Sequence, residues 1–251
     1  MVLRQNILIT GASSGLGEGM ARQFAARGRN LALCARRTDR LDELAAELRA
    51  GYPGITVATR ALDVTDHARV FEVFDEFRAE LGRLDRVIVN AGLGKGQPVG
   101  TGRFDVNRQT LETNLVGAVA QIEAAAGIFR EQKDGHLAVI SSFMALRGFP
   151  GNLTAYSASK AGISAFADGA RLELGRLGIT VTDVRPGYID SEMTARATKR
   201  NPLMVSAEAG AQALVKAIEA EPKRAYVPSW PWVPLSVAIR MAPSALLRKF
   251  A

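Results

Sequence analysis

Cysteine occurs once in the chain, at Cys34. A single thiol excludes a disulfide framework within the chain. Its setting in the apolar run NLALCA predicts a buried, inert side chain, and a reducing cytoplasm fits. Histidine occurs twice, as His67 and His136, in no cluster with metal-ligand spacing, so no metal is expected. No apolar run approaches the roughly 18 residues that a membrane-spanning helix requires. The opening residues MVLRQNILIT are too short for a signal peptide's apolar region followed by a cleavage site. Low-complexity tracts and internal repeats are absent, which excludes disordered and solenoid classes. Basic runs interleaved with aromatics are also missing. The net charge of +7 comes from cations mixed with acids, as in RRTDRLDELAAELRA, so nucleic acid is not an expected partner.

What the 251 residues do contain is alternation. Apolar runs such as ILIT, NLALCA, RVIVN, HLAVIS and ITVTDVRP are separated by segments with helical spacing. In RLDELAAELRA the apolar positions are Leu41, Leu44, Ala45 and Leu48; in HARVFEVFDEFRAEL they are Val70, Phe71, Phe74, Phe77 and Leu81. Strands apolar on both faces belong in a parallel sheet covered by helices on both sides. The pattern predicts an α/β, doubly wound fold, read as one domain over 1–251 with an apolar C-terminal tail at about 225–251.

The junction TGASSGLG lies between the first strand and the first helix, at the sheet edge where such folds bind ligands. Gly11 permits a tight turn, Gly15 lets a pyrophosphate approach the backbone, and Gly17 allows close helix–strand contact. The free N–H groups of the helix start, with Ser13, Ser14 and Leu16 around them, suit phosphates. This predicts a dinucleotide site. The second strand ends in LCARRTDR, with arginines where an acidic residue would hold the 2′-hydroxyl of NAD. Arg36 is the main expected contact for a 2′-phosphate, with Arg37 and Arg40 as supporting candidates, so the expected cofactor is NADP(H).

With these residues in hand, the chain resembles the classical short-chain dehydrogenase/reductase family from Ile7 to about Ser191. The motifs are TGASSGLG, Asp63 in LDVTD, NAG at Asn90 to Gly92, Asn114 in NLVGA, ISS ending at Ser142, YSASK from Tyr156 to Lys160, and RPGYIDS from Arg185 to Ser191. The resemblance implies a Rossmann-type fold of about seven parallel strands, a nicotinamide cofactor, and a homo-dimer or homo-tetramer. It further implies that Asp63 and Val64 flank the adenine and that Asn90, Ala91 and Gly92 pass under the ribose and pyrophosphate. Pro186, Gly187 and Ile189 would lie against the nicotinamide, and Ser191 would contact its carboxamide.

Tyr156 and Lys160 are four apart at the start of a helix and share one face. A nearby ammonium lowers the pKa of a phenol, making a general acid/base. By resemblance, Lys160 also binds the nicotinamide ribose, Ser142 donates to the substrate oxygen, and Asn114 holds a water linking Lys160 to solvent. Two departures stand out. The position 13 before the tyrosine, where many members have serine, is Phe143; Ser142 is 14 before, implying a loop one residue longer, and Ser141 remains an alternative. Ser191 takes the place of a usual threonine.

Three segments are expected to shape the substrate pocket: LGKGQPVGTGRFD, FMALRGFPGNLTA and YIDSEMTARATKRNPLM. They bring Phe143, Met144, Leu146, Phe149, Leu153, Tyr188, Met193 and Met204, predicting an apolar lining. Gly94, Gly96, Gly100 and Gly102 suggest a mobile lid. The tail AYVPSWPWVPLSVAIRMAPSALLRKFA has three readings: packing on its own domain or a partner subunit, covering the substrate pocket, or peripheral contact with an anionic membrane. The expected activity is NADP(H)-dependent interconversion of a carbonyl and an alcohol on a hydrophobic or medium-sized small-molecule substrate. Alternatives are reduction of a 3-ketoacyl thioester and, in a different class, a non-catalytic dinucleotide-binding regulator or scaffold.

Overall fold

The computed structural model describes residues 3–194 and 202–247. Its strands are β1 (Asn6–Thr10), β2 (Asn30–Ala35), β3 (Val57–Ala61), β4 (Arg86–Val89), β5 (Gly135–Ile140), β6 (Ile179–Pro186) and β7 (Arg224–Val227). All pair in parallel, in the order β3-β2-β1-β4-β5-β6-β7. The order reverses beside β1, so the loops after β1 and β4 diverge and leave a crevice at the strands' C-terminal ends.

Period-two alternation sends each strand's side chains to two separate cores. Ile7, Ile9, Leu31, Leu33, Ile88, Ala138 and Ile140 face one side. There they meet α1 (Gly15–Ala25), α2 (Thr38–Gly51) and α7 (Ala207–Glu219) through Phe24, Leu44 and Leu214. Leu8, Ala32, Cys34, Val87, Val89, Leu137 and Val139 face the other, against α3 (His67–Leu81), α5 (Gly117–Gln132) and α6 (Thr154–Leu174). Phe24, Phe74, Phe77 and Phe129 are fully buried, each contributing about 2–3 kcal/mol of transfer free energy. Burial also pushes the Cys34 thiol pKa far up, which leaves it unreactive.

On α3 the buried stripe is Val70, Val73, Phe74 and Phe77, whereas Phe71 points to solvent. Phe71 is therefore not part of the core: one position from Val70 is a rotation of about 100° around the helix, onto the outer face. The helix before β5 changes phase along its length. α4 (Phe104–Leu111) runs through one π-helical turn, Glu112–Val116, into α5. Two more elements follow β7: α8 (Ser229–Met241) and α9 (Ser244–Leu247). Among the described residues no helix is long and apolar enough to cross a membrane.

Candidate active site

A cleft of about 440 Å³ opens at the C-terminal ends of β1, β2, β4, β5 and β6. Of the site residues expected from sequence, it is lined by Gly11, Ser13, Ser14, Gly15, Leu16, Arg36, Arg37, Asp63, Val64, Asn90, Ala91, Gly92, Ser142, Tyr156, Lys160, Pro186, Gly187, Ile189 and Ser191. Gly17 and Asn114 sit just behind that lining.

The floor is the glycine turn. Gly11 has φ +66°, and a Cβ there would lie 2.8 Å from the Cα of Ala91. A Cβ on Gly17 would lie 2.3 Å from the Gly11 carbonyl oxygen. Both glycines are required by close approach, which brings the start of α1 against the end of β4. Thr10 stitches the two strands: its Oγ1 accepts from the N–H groups of Asn90 (3.0 Å) and Ala91 (3.1 Å), while Asn90 Nδ2 donates to the Thr10 carbonyl (2.9 Å).

Arg36 and Arg37 line the cleft, Arg40 lies outside that lining, and each is set beside a carboxylate. Arg36 stands 3.7 Å from Asp63 and is 58% exposed, so it can reorient toward a ligand. Asp63 is held by Thr65 N–H (3.0 Å) and Oγ1 (2.8 Å). Burial alone would raise its pKa, but the Thr65 hydrogen bonds and the Arg36 charge bring it below its ordinary value. Arg37 donates to Ser13 (3.3 Å) and Ser14 (2.5 Å) and pairs with Glu192 (3.1 Å), which also takes Arg40. The seryl hydroxyls thus position Arg37 as well as facing the crevice. Glu192 and Thr10 belong to this site and were missed by sequence reasoning, because no local pattern marks a contact between segments 78 to 155 positions apart.

Opposite the glycine turn lie Ser142, Tyr156 and Lys160. Ser142 begins the short 3₁₀ turn Phe143–Leu146, where its Oγ accepts from Met144 N–H (3.1 Å), and it shares a side-chain hydrogen bond with Tyr156. Ser141 faces away: its Oγ donates to Asp183 and to the Val184 carbonyl (3.1 Å). Ser142, and not Ser141, is therefore the serine beside Tyr156. Lys160, 6% exposed, donates to the Ile140 carbonyl (2.8 Å) and lies 5.9 Å from the Tyr156 ring centre. Asn114, 1% exposed, accepts from Leu93 N–H (2.6 Å) and donates to the Leu93 carbonyl (2.8 Å) and to Ser159 (3.3 Å). The π-helical turn supplies this geometry by rotating Asn114 off the regular helical phase and into the loop after β4.

The electrostatics differ from the sequence expectation in one respect. Burial pushes the Tyr156 phenol above its ordinary pKa; the Ser142 hydrogen bond opposes this and Tyr188 adds to it. Burial also pushes the Lys160 ammonium down to about 8, against the pull of Asp183. Desolvation thus outweighs the lowering that a neighbouring ammonium was expected to impose on the phenol.

Other expectations for the substrate side are corrected. Phe143, Met144 and Phe149 are buried in a third apolar cluster with Trp232, Ile239 and Leu247 of the tail, with Leu146, Leu153 and Tyr188 packed against it. Met193 does line the cleft, beside Leu93. The apolar residues of the 143–153 segment therefore form the wall behind the cleft, because its 3₁₀ turns fold them inward and the tail covers them. Of the four glycines after β4, Gly100 (φ +83°) and Gly102 (φ +76°) stand in open space, whereas Gly94 and Gly96 are closely packed. A Cβ on Gly94 would lie 2.4 Å from Met193 Cγ, and one on Gly96 would lie 2.0 Å from the Asn152 carbonyl oxygen, so close packing explains both. Of the described tail, Trp232, Ile239, Ala242 and Leu247 pack on their own chain, while Trp230, Val233, Val237, Met241 and Leu246 stay exposed. Among the described residues no group of three or more His, Cys, Asp or Glu side chains could hold a metal ion.

Comparison with known proteins agrees with this architecture. The family described as short chain dehydrogenase matches residues 5–202. An uncharacterised oxidoreductase of Mycobacterium tuberculosis is 55% identical over 250 residues, covering 100% of this chain and 98% of its own. Another from Myxococcus xanthus is 37% identical, covering 94% and 90%. The solved structure of an alcohol dehydrogenase from the archaeon Thermococcus sibiricus, complexed with 5-hydroxy-NADP, superposes with a TM-score of 0.79 at 26% identity over 88% of this chain and 95% of that one. By its sheet order, its glycine turn and these matches, the chain belongs to the short-chain dehydrogenase/reductase family of oxidoreductases.

Proposed function

We propose that the protein is an NADP(H)-dependent oxidoreductase that interconverts a carbonyl and an alcohol on a medium-sized, largely apolar small molecule. The observation that carries this reading is the Ser142–Tyr156–Lys160 group, standing across one cleft from the glycine turn. The cleft fits a nicotinamide dinucleotide. Gly11 and Gly15 line the cleft with no side chain to fill it, and Ser14, at the start of α1, makes no side-chain capping bond that would shield the first-turn N–H groups. Gly11 to Leu16 would hold the diphosphate, Asp63 and Val64 the adenine, and Asn90 to Gly92 the ribose. Pro186, Gly187, Ile189 and Ser191 would hold the nicotinamide. When bound, the nicotinamide supplies or accepts the hydride.

The protein's own part is proton handling and charge stabilisation. Ser142 donates to the substrate oxygen as negative charge develops there. Tyr156 gives its phenolic proton to that oxygen in reduction and takes it back in oxidation. Its raised pKa keeps the proton in place until the alkoxide forms. Lys160, charged below about pH 8, stabilises the resulting phenolate, and Asn114 orders the route by which the proton is restored. Arg36, with Arg37 and Arg40 beside it, favours a 2′-phosphate. Leu93 and Met193 at the cleft support an apolar substrate. We further infer a homo-oligomer, supported by exposed Val116, Phe166 and Leu172 on the α4–α6 side.

Tyr156→Phe tests the mechanism. It should lower kcat by about 10³-fold or more while NADPH binding, followed by nicotinamide fluorescence, stays intact. An NADPH-oxidation screen over ketones, aldehydes and ketoacyl thioesters, run beside NADH, tests cofactor and substrate class. A Tyr156→Phe protein as active as the wild type would overturn the assignment.

A further inference from the structure

The C-terminal helix α8 meets the catalytic segment at two points. Trp232, 2% exposed, packs edge-on against Phe143, with ring centres 4.7 Å apart, and tilted against Tyr188 at 5.7 Å. Phe143 directly follows Ser142, and Tyr188 directly follows Gly187. A Cβ on Gly187 would lie 2.0 Å from Trp232 Cε2, so the indole rests on the backbone of that turn. The turn is held from the other side by Gly187 N–H donating to the Val227 carbonyl (2.9 Å). One buried aromatic plate therefore touches both the segment that starts at Ser142 and the turn that faces the cleft at Gly187.

The second point is Arg147, in the loop between Ser142 and Tyr156. Its guanidinium donates to the carbonyls of Ala242 (2.7 Å) and Arg240 (3.3 Å), the free acceptors at the end of α8. The loop is thus pinned at Phe143 by the start of α8 and at Arg147 by its end.

We infer that α8 is part of the catalytic apparatus, with Trp232 and Arg147 as positioning residues that fix Ser142 and the Gly187 turn relative to Tyr156. The indole N–H is buried without a hydrogen-bond partner, so the role of Trp232 is one of shape and contact. Phenylalanine should reproduce much of it.

The kinetic half of the test rests on the reaction proposed above; the structural half does not. Amide hydrogen exchange over residues 143–153 and 186–190 should quicken in Trp232→Ala, and over 143–153 in Arg147→Ala, with no ligand added. In the same variants kcat should fall about 10- to 100-fold, as expected when a reacting group is misplaced by about 1 Å. KM for NADPH should stay within about threefold, and Trp232→Phe should recover most of the loss. Arg147→Ala carries the test should Trp232→Ala fail to fold. Unchanged exchange in both alanine variants, or faster exchange with wild-type kcat, would overturn the inference. A wild-type protein that turns over no carbonyl or alcohol would defeat the proposed reaction instead, leaving exchange to decide whether α8 holds the loop.

Discussion

The two ends of the central sheet bury charge in opposite ways. At the N-terminal end, Glu221 receives Arg4 (3.0 Å) and Arg86 (3.0 Å), and accepts from Thr180 Oγ1 (2.9 Å). Arg4 also reaches Asp134 (2.6 Å), and Arg86 Nε donates to His136 Nδ1 (2.7 Å), whose Nε2 meets Thr182 (2.9 Å). Donors and acceptors close on one another there. At the C-terminal end, Lys160 is buried with a carbonyl as its hydrogen-bond partner, and the carboxylate that pulls on it, Asp183, is already engaged by Ser141, Ser164 (2.7 Å), Arg185 (2.8 Å) and Arg224 (3.2 Å). A closed network gives a fixed structure. An incompletely compensated ammonium gives a group whose charge is available to something that enters the cleft.

The sharpest way to break this comparison is to neutralise one charge at each end. Lys160→Met should cut kcat by about 10²-fold or more, yet leave Tm at or above the wild-type value, because a costly buried ammonium is gone. Glu221→Gln should do the reverse. It takes the carboxylate from Arg86 and leaves Arg4 with Asp134 alone, and it should cost about 3 kcal/mol in denaturant unfolding while kcat is unchanged. A Glu221→Gln protein of normal stability would show that the closed network is ornamental.

A smaller effect is expected at the cleft mouth. Arg36→Ala should raise KM for NADPH about tenfold and leave KM for NADH nearly unmoved, since the lost contact serves the 2′-phosphate alone. Equal changes for both coenzymes would instead assign Arg36 to holding Asp63, its present neighbour at 3.7 Å.

How much of this was legible in the chain depends on whether the controlling contacts are local. The strand–helix alternation and the glycine turn are short-range patterns, and they predicted the sheet and the cleft. Phe71 was misread because a helical stripe in sequence is blurred by one position, whereas in space that position is a third of a turn. The π-helical turn at Asn114 carries no residue signature, since it is a phase change and not a composition. Ser141 could be separated from Ser142 only once Asp183, 42 positions away, was seen to occupy it. The tail showed its apolarity in sequence but not its seat, because Trp232 packs on Phe143, which no spacing rule connects to it.

The last effect concerns protons, and it has the same sign at both ends in different pH windows. Burial first, and then the Arg86 charge, hold His136 down to about 3, against an ordinary 6.5. The unfolded chain therefore binds a proton at this site that the folded one refuses, and stability rises with pH across that range. Its full benefit is present above about 6.5 and is lost as pH falls toward 3. Glu221, lowered to about 2 despite the opposing effect of burial, because Arg4 bonds to it and His136 and Thr180 lie beside it, adds a loss that begins below about 4.5. Lys160, lowered to about 8 from 10.5, makes stability rise again between those two values. Urea unfolding from pH 7 to pH 5 should thus show a decline in the wild type whose slope drops by about one proton in His136→Gln. From pH 8 to 10 the wild type should gain stability relative to Lys160→Met. Parallel curves for wild type and His136→Gln below pH 7 would mean that the imidazole accepts its proton in the folded protein, which the 2.7 Å approach of the Arg86 guanidinium forbids.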